Sequence, residues 1–93
     1  MLEVNSYFEG KVKSIGFNTD TLPATVGVMV PGDYTFGTSE FETMTVVSGI
    51  LLVKLPGSEQ WKELKSGEQF KVEANQEFQL KVAKDAAYMC TYG

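Results

Sequence analysis

Residues Pro31-Gly32-Asp33-Tyr34-Thr35-Phe36-Gly37-Thr38-Ser39-Glu40-Phe41-Glu42, continuing through Met44-Thr45-Val46-Val47 to Ser48-Gly49, decide the fold. A Pro-Gly-Asp corner opens a short aromatic and β-branched run. A Gly-Thr-Ser break follows, then a second such run that stops at Ser48-Gly49. Proline and glycine supply turn dihedrals, whereas β-branched and aromatic side chains fit a pleated, half-buried surface. The stretch therefore predicts two strands punctuated by turns, with no room for a helical period.

The same rhythm extends in both directions. Upstream stand KVKSIGF (11–17) and TVGVMV (25–30). Downstream stand ILLVKL (50–55), EQFKVE (68–73), EFQLKV (77–82) and AYMCTY (87–92). Breakers lie at Asn18 to Pro23, Pro56-Gly57-Ser58, Ser66-Gly67 and Ala74-Asn75. With DYTFG (33–37) and ETMTVV (42–47) this makes about eight strands. SEQWKEL (58–64) fits a short helical fragment or an edge strand equally well. Alternation places Val26, Val28 and Val30 on one face, and likewise Phe70 with Val72, Phe78 with Leu80 and Val82, and Tyr88 with Cys90 and Tyr92. All four faces are expected in a common core. Val12 is out of phase with Ile15 and Phe17, which predicts a bulge near Ser14 to Gly16. Many short strands without βαβ spacing predict an all-β fold, and residues 1–93 suit one domain.

Composition excludes several functions. The net charge is −4, and the eight cations are all lysines scattered along the chain, which argues against nucleic acid as a partner. No apolar run approaches the roughly 20 residues that cross a bilayer as a helix, so no membrane role is expected. One cysteine, Cys90, allows no internal disulfide, and MLEVNSYFEG has neither a basic start nor an apolar signal core; a cytoplasmic location is expected. The chain has no histidine, which removes every Ser-His or Cys-His nucleophile pair.

The opening stretch resembles the first motif of the cupins, in which a glycine turn leads to two alternate histidines, a glutamate, six residues and a glycine. Glu42 and Gly49 keep the last spacing. The histidine positions fall on Thr35 and Gly37, or on Phe36 and Thr38, and the third histidine of the second motif falls near Phe78. The resemblance implies a single cupin-type, jelly-roll β-barrel. A lone carboxylate among hydroxyls is a poor set of ligands for a transition metal, so no metal is expected.

A closer resemblance covers the whole chain. YFEGKVKSIGF (7–17), TVGVMVPGDYTFGTSE (25–40), Glu42 through Gly49 and the ending AYMCTY together resemble the pyrimidine/purine nucleoside phosphorylases, a family of small cupin-like proteins. The resemblance implies phosphate-dependent cleavage of purine and pyrimidine nucleosides to free base and ribose 1-phosphate, without an organic cofactor, by a homodimer. Position 91, where some members of that family carry arginine, is Thr91.

Phosphorolysis passes through an oxocarbenium-like state, so its site needs anion-holding donors, a carboxylate near the sugar and a surface for the base. Glu42 is the candidate for the sugar and its developing positive charge; a carboxylate satisfied by backbone or Thr45 is the structural alternative. Tyr34, Phe36, Thr38 and Tyr88 are candidates to meet the nucleoside, with core packing as the competing role for the aromatics. Lys11, Lys13 and Ser14 are the phosphate candidates. Packing is the favoured role for Tyr7 and Phe8, with capping the barrel or meeting a partner subunit as the alternative, and Met44 and Phe78 are expected to line a cavity at most. Cys90, in an alternating apolar strand, reads as a buried structural thiol. A non-catalytic ligand-binding or sensor cupin is the alternative function, and a pure interaction module a third.

Overall fold

Turn chemistry sets where the strands end. Gly49, Gly57 and Gly67 have φ of +91°, +75° and +90°, which only glycine adopts without strain. The computed structural model describes residues 2–93. Its strands are β1 (Glu3–Tyr7), β2 (Val12–Asn18), β3 (Pro23–Met29), β4 (Gly32–Gly37), β5 (Glu42–Ser48), β6 (Ile50–Lys54), β7 (Lys62–Lys65), β8 (Gln69–Val72), β9 (Glu77–Val82) and β10 (Ala86–Tyr92). The only helical element among the described residues is one 3₁₀ turn, Phe8–Gly10. The ten strands exceed the expected eight by β1 and by β7, which settles residues 62–65 as an edge strand.

Every pairing is antiparallel. The strands form a six-stranded sheet, β1-β2-β3-β10-β5-β8, and a four-stranded sheet, β4-β9-β6-β7. The single closed barrel expected from the sequence is not what the hydrogen bonding shows: among the described residues no strand ladder joins the two sheets. They face one another across a shared core in which Val12, Met29, Met44, Val46 and Phe70 of the larger sheet meet Leu51, Val53, Leu64, Phe78 and Leu80 of the smaller. Phe78 and Phe70 touch across that core, centroids 5.3 Å apart at 69°.

Three of the four alternating faces point into the core: Phe70 and Val72; Phe78, Leu80 and Val82; and Tyr88 with Cys90. The fourth does not. Val26 and Val28, on the outer side of β3, and Val30, just beyond its end, are 42%, 53% and 37% exposed, and Val4, Ile15, Val26 and Met89 line up across β1, β2, β3 and β10. Alternation fixes that residues share a face, not which face it is, and β3 buries Met29 and Gly27 instead. The bulge expected near Ser14 to Gly16 is also absent. Strand β2 pairs regularly with both neighbours because Val12 and Ser14 face inward while Ile15 and Phe17 face outward. The register shift lies instead between Ala87 and Tyr88, where β10 meets β5.

Candidate active site

Four strands of the larger sheet and two of the smaller converge on one internal cavity. Tyr7 comes from β1, Ser14 from β2, Glu42 and Met44 from β5, Tyr88 and Tyr92 from β10, and Phe36, Gly37 and Phe78 from β4 and β9. Strand β3 contributes no lining residue, but its Gly27 lies under the Tyr88 ring. The cavity holds about 190 Å³. Antiparallel register explains the convergence: Glu42 pairs with Tyr92, Met44 with Cys90 and Ser14 with Gly27, so the side chains of alternate rows enter the space between the sheets.

Polar groups are concentrated there. Glu42, half-buried, accepts a hydrogen bond from the Cys90 thiol at 3.5 Å. Burial raises the Glu42 carboxyl above its ordinary range; the Cys90 hydrogen bond opposes this and Glu40 adds to it. Burial likewise lifts the Tyr88 phenol to about 12, eased by Ser14. The Cys90 thiol is pushed up to about 12 by burial and by the neighbouring Glu42 charge, which fits a structural thiol rather than a nucleophile. Tyr92 shares a 2.9 Å hydrogen bond with Thr25, and Asn5 donates to the Ser14 hydroxyl at 3.4 Å. Among the described residues Glu42 is the only carboxylate lining the cavity, and no lysine lines it.

An aromatic wall closes one side. Phe36 stacks on Phe78 at 5.6 Å and 23°, and Phe8 packs edge-on against Phe36 at 5.3 Å and beside Tyr34 at 5.0 Å. Phe8 and Glu9 reach this position with φ of +52° and +58°, followed by Gly10 at +87°. Left-handed backbone costs a bulky residue energy, so the turn after Tyr7 holds strain.

The structure thus gathers Ser14, Phe36, Glu42 and Tyr88 of the sequence-derived candidates in one place. The other four lie elsewhere. Lys13 is exposed on the outer face of the six-stranded sheet, paired with Val28 and Ser6, and Lys11 borders a surface recess with Phe8, Asp33 and Tyr34. Tyr34 is buried and donates its hydroxyl to the Val30 carbonyl. Thr38 is buried as well: its hydroxyl donates to the Glu73 carbonyl at 2.7 Å and accepts from the Gln76 N–H at 3.0 Å, pinning the turn before β9. Tyr92 was visible in the sequence only as a member of the Tyr88, Cys90, Tyr92 face, and Asn5 and Thr25 gave no signal.

A larger open groove of about 580 Å³ lies outside the four-stranded sheet, bordered by Ile50, Leu52, Glu63, Lys81 and Lys84. It lacks a convergent set of buried polar groups, so the internal cavity is the better candidate for chemistry. Among the described residues no cluster of three or more His, Cys, Asp or Glu side chains is arranged to hold a metal ion.

Comparison with known proteins bears on what this cavity serves. A family model described as pyrimidine/purine nucleoside phosphorylase matches residues 2–92. The chain belongs to the pyrimidine/purine nucleoside phosphorylase family. Proteins of that name from Magnetococcus marinus and Hahella chejuensis are each 66% identical over 93 residues, covering all of both chains. One from Pseudomonas aeruginosa is 60% identical, covering 99% of each chain. Among solved structures, a Vibrio parahaemolyticus protein of unknown function superposes with a TM-score of 0.95 at 50% identity, covering 100% of this chain and 99% of its own. An RmlC-like cupin from Shewanella frigidimarina superposes at 0.78 with 17% identity, covering 98% of this chain and 82% of its own, which supports a cupin-like fold.

Proposed function

We propose that the chain catalyses phosphorolysis of purine and pyrimidine nucleosides in the cavity between the sheets. Membership of the family over residues 2–92 is the observation that carries this reading. A phosphate oxygen attacks the anomeric carbon, the C–N glycosidic bond breaks, and the base leaves with the bonding electrons and takes up a proton. Free base and ribose 1-phosphate result. In this reading the ionised Glu42 carboxylate faces the sugar and stabilises its developing positive charge. Ser14 and Tyr88 donate to sugar or phosphate oxygens, and Phe36 offers a face to the base.

The cavity is smaller than the roughly 300–1,000 Å³ of ordinary small-molecule pockets, so part of the reacting pair sits at its opening. Phosphate is met by neutral hydroxyls and backbone N–H groups, because neither lysine candidate, Lys11 or Lys13, lines the cavity. Neither a metal ion nor an organic cofactor takes part. The exposed apolar strip of Val4, Ile15, Val26 and Val28 supports a homodimer joined through the outer face of the six-stranded sheet.

The absence of any cationic side chain from the cavity lining favours a second reading, a binding or sensor protein that holds a nucleoside without cleaving it. Chelator-treated protein incubated with a panel of nucleosides, with and without inorganic phosphate, separates the two. Phosphate-dependent, chelator-resistant release of base supports the enzyme. Saturable nucleoside binding without release supports the alternative.

A further inference from the structure

Gly27 sits in the interior of β3, where glycine weakens a strand and where its own backbone has no positive φ to demand it. Space demands it instead. A Cβ built on Gly27 would lie 2.5 Å from Tyr88 Cζ and 2.6 Å from both Cε1 and the hydroxyl oxygen. The three closest atoms all lie at or beside the hydroxyl end of the ring. Gly16, in the neighbouring strand, offers a contrast: a Cβ there meets nothing within 4 Å.

Register explains why the ring reaches this point. Val46, Tyr88, Gly27, Ser14 and Asn5 form one inward-facing row across five adjacent strands. The phenol lies over its direct cross-strand neighbour and extends toward Ser14, which Asn5 holds from the other side. The register shift opposite Ala87 and Tyr88 leaves Val47 of β5 as the extra residue, while β10 keeps unbroken register with β3, so Tyr88 faces Gly27 directly.

We infer that Gly27 is a positioning residue that acts through Tyr88: it seats the phenol on the β3 backbone beside Ser14, so that the hydroxyl lines the wall and the ring stays out of the ligand space. The inference rests on the reading of this cavity as the ligand site. Mere aromatic cover of a strand glycine would need the ring but not its hydroxyl, and a double-mutant cycle separates the two.

The test compares Gly27→Ala, Tyr88→Phe, their combination and Gly16→Ala as control. Three quantities are read: kcat/KM for uridine with inorganic phosphate, melting temperature, and the ring resonances of Tyr88 in ¹³C-tyrosine-labelled protein. Gly27→Ala and Tyr88→Phe should each lower kcat/KM by about tenfold, the scale of one lost hydrogen bond. The combination should be no worse than either, Gly16→Ala should match the wild type, and the Tyr88 resonances should shift in Gly27→Ala. Additive losses, or unmoved Tyr88 resonances, would overturn the inference. If Gly27→Ala does not fold, Tyr88→Leu in its background should restore folding by removing Cζ and the hydroxyl; failure to do so overturns it equally. A wild type that never cleaves uridine defeats the functional reading alone. Positioning is then decided by uridine titration, where wild-type binding together with unmoved Tyr88 resonances in Gly27→Ala counts against it.

Discussion

Replacing Glu42 with glutamine removes the one carboxylate of the cavity while keeping its shape. The amide oxygen can still accept the Cys90 thiol hydrogen bond, so the fold should survive. Under the proposed function the variant loses a charge-assisted interaction with the sugar, a class worth about 1.5–3 kcal/mol, which corresponds to roughly 10- to 150-fold in kcat/KM. The pH dependence sharpens the expectation. Burial raises the Glu42 carboxyl above its ordinary 4.5, with Glu40 adding and the thiol bond opposing. Wild-type kcat/KM should therefore fall as pH drops through that raised value, and Glu42→Gln should lose this limb.

Stability should move in the opposite sense. A carboxyl whose folded pKa is raised contributes most to stability below its unfolded value and loses that contribution as pH climbs through the folded one. Relative to Glu42→Gln, the wild type should thus be most stable below about pH 4.5 and lose ground above it. Initial-rate phosphorolysis and thermal melts across the same buffers measure both effects. A glutamine variant with wild-type kcat/KM at every pH would refute the assignment of Glu42 to the sugar.

Phe78, fully buried between Phe36 and Phe70, should cost about 3–5 kcal/mol on truncation to alanine, read as a loss of ΔG in urea unfolding. Glu9→Gly relieves a left-handed φ of +58° at an exposed position and should raise stability by about 1 kcal/mol, a gain of roughly 4–8 °C in melting temperature. Val26→Lys places a charge in the middle of the exposed apolar strip. It should convert the proposed homodimer to monomer in light scattering while leaving the circular dichroism of the monomer unchanged.

Strand positions were largely legible because proline, glycine and asparagine mark turns by their own backbone preferences. Gly49, Gly57, Gly67 and Asn75 all adopt the positive φ that their identities suggest. Strand β1 was missed because Glu3–Tyr7 is exposed and polar at alternate positions without the β-branched density of the other strands. The valines of β3 were assigned to the wrong side because a strand with apolar residues on both faces carries no local sign of which face is inside. The cavity lining was legible where the cupin-like spacing led to Glu42, and where Tyr88 sat on a clean alternation. It was illegible where long-range register decides. Ser14 enters the cavity while its neighbour Lys13 leaves it, and Thr38 spends its hydroxyl on residues 73 and 76, far along the chain. Gly27 is informative only once Tyr88 is seen lying on it.

The placement of chemistry in the internal cavity is tested most directly by a crystal structure of the protein with ribose 1-phosphate. The account predicts sugar density between Glu42, Ser14 and Tyr88, with the anomeric carbon facing the Glu42 carboxylate. Density confined to the outer groove beside Ile50, Leu52 and Lys81, with the cavity unchanged, would contradict it.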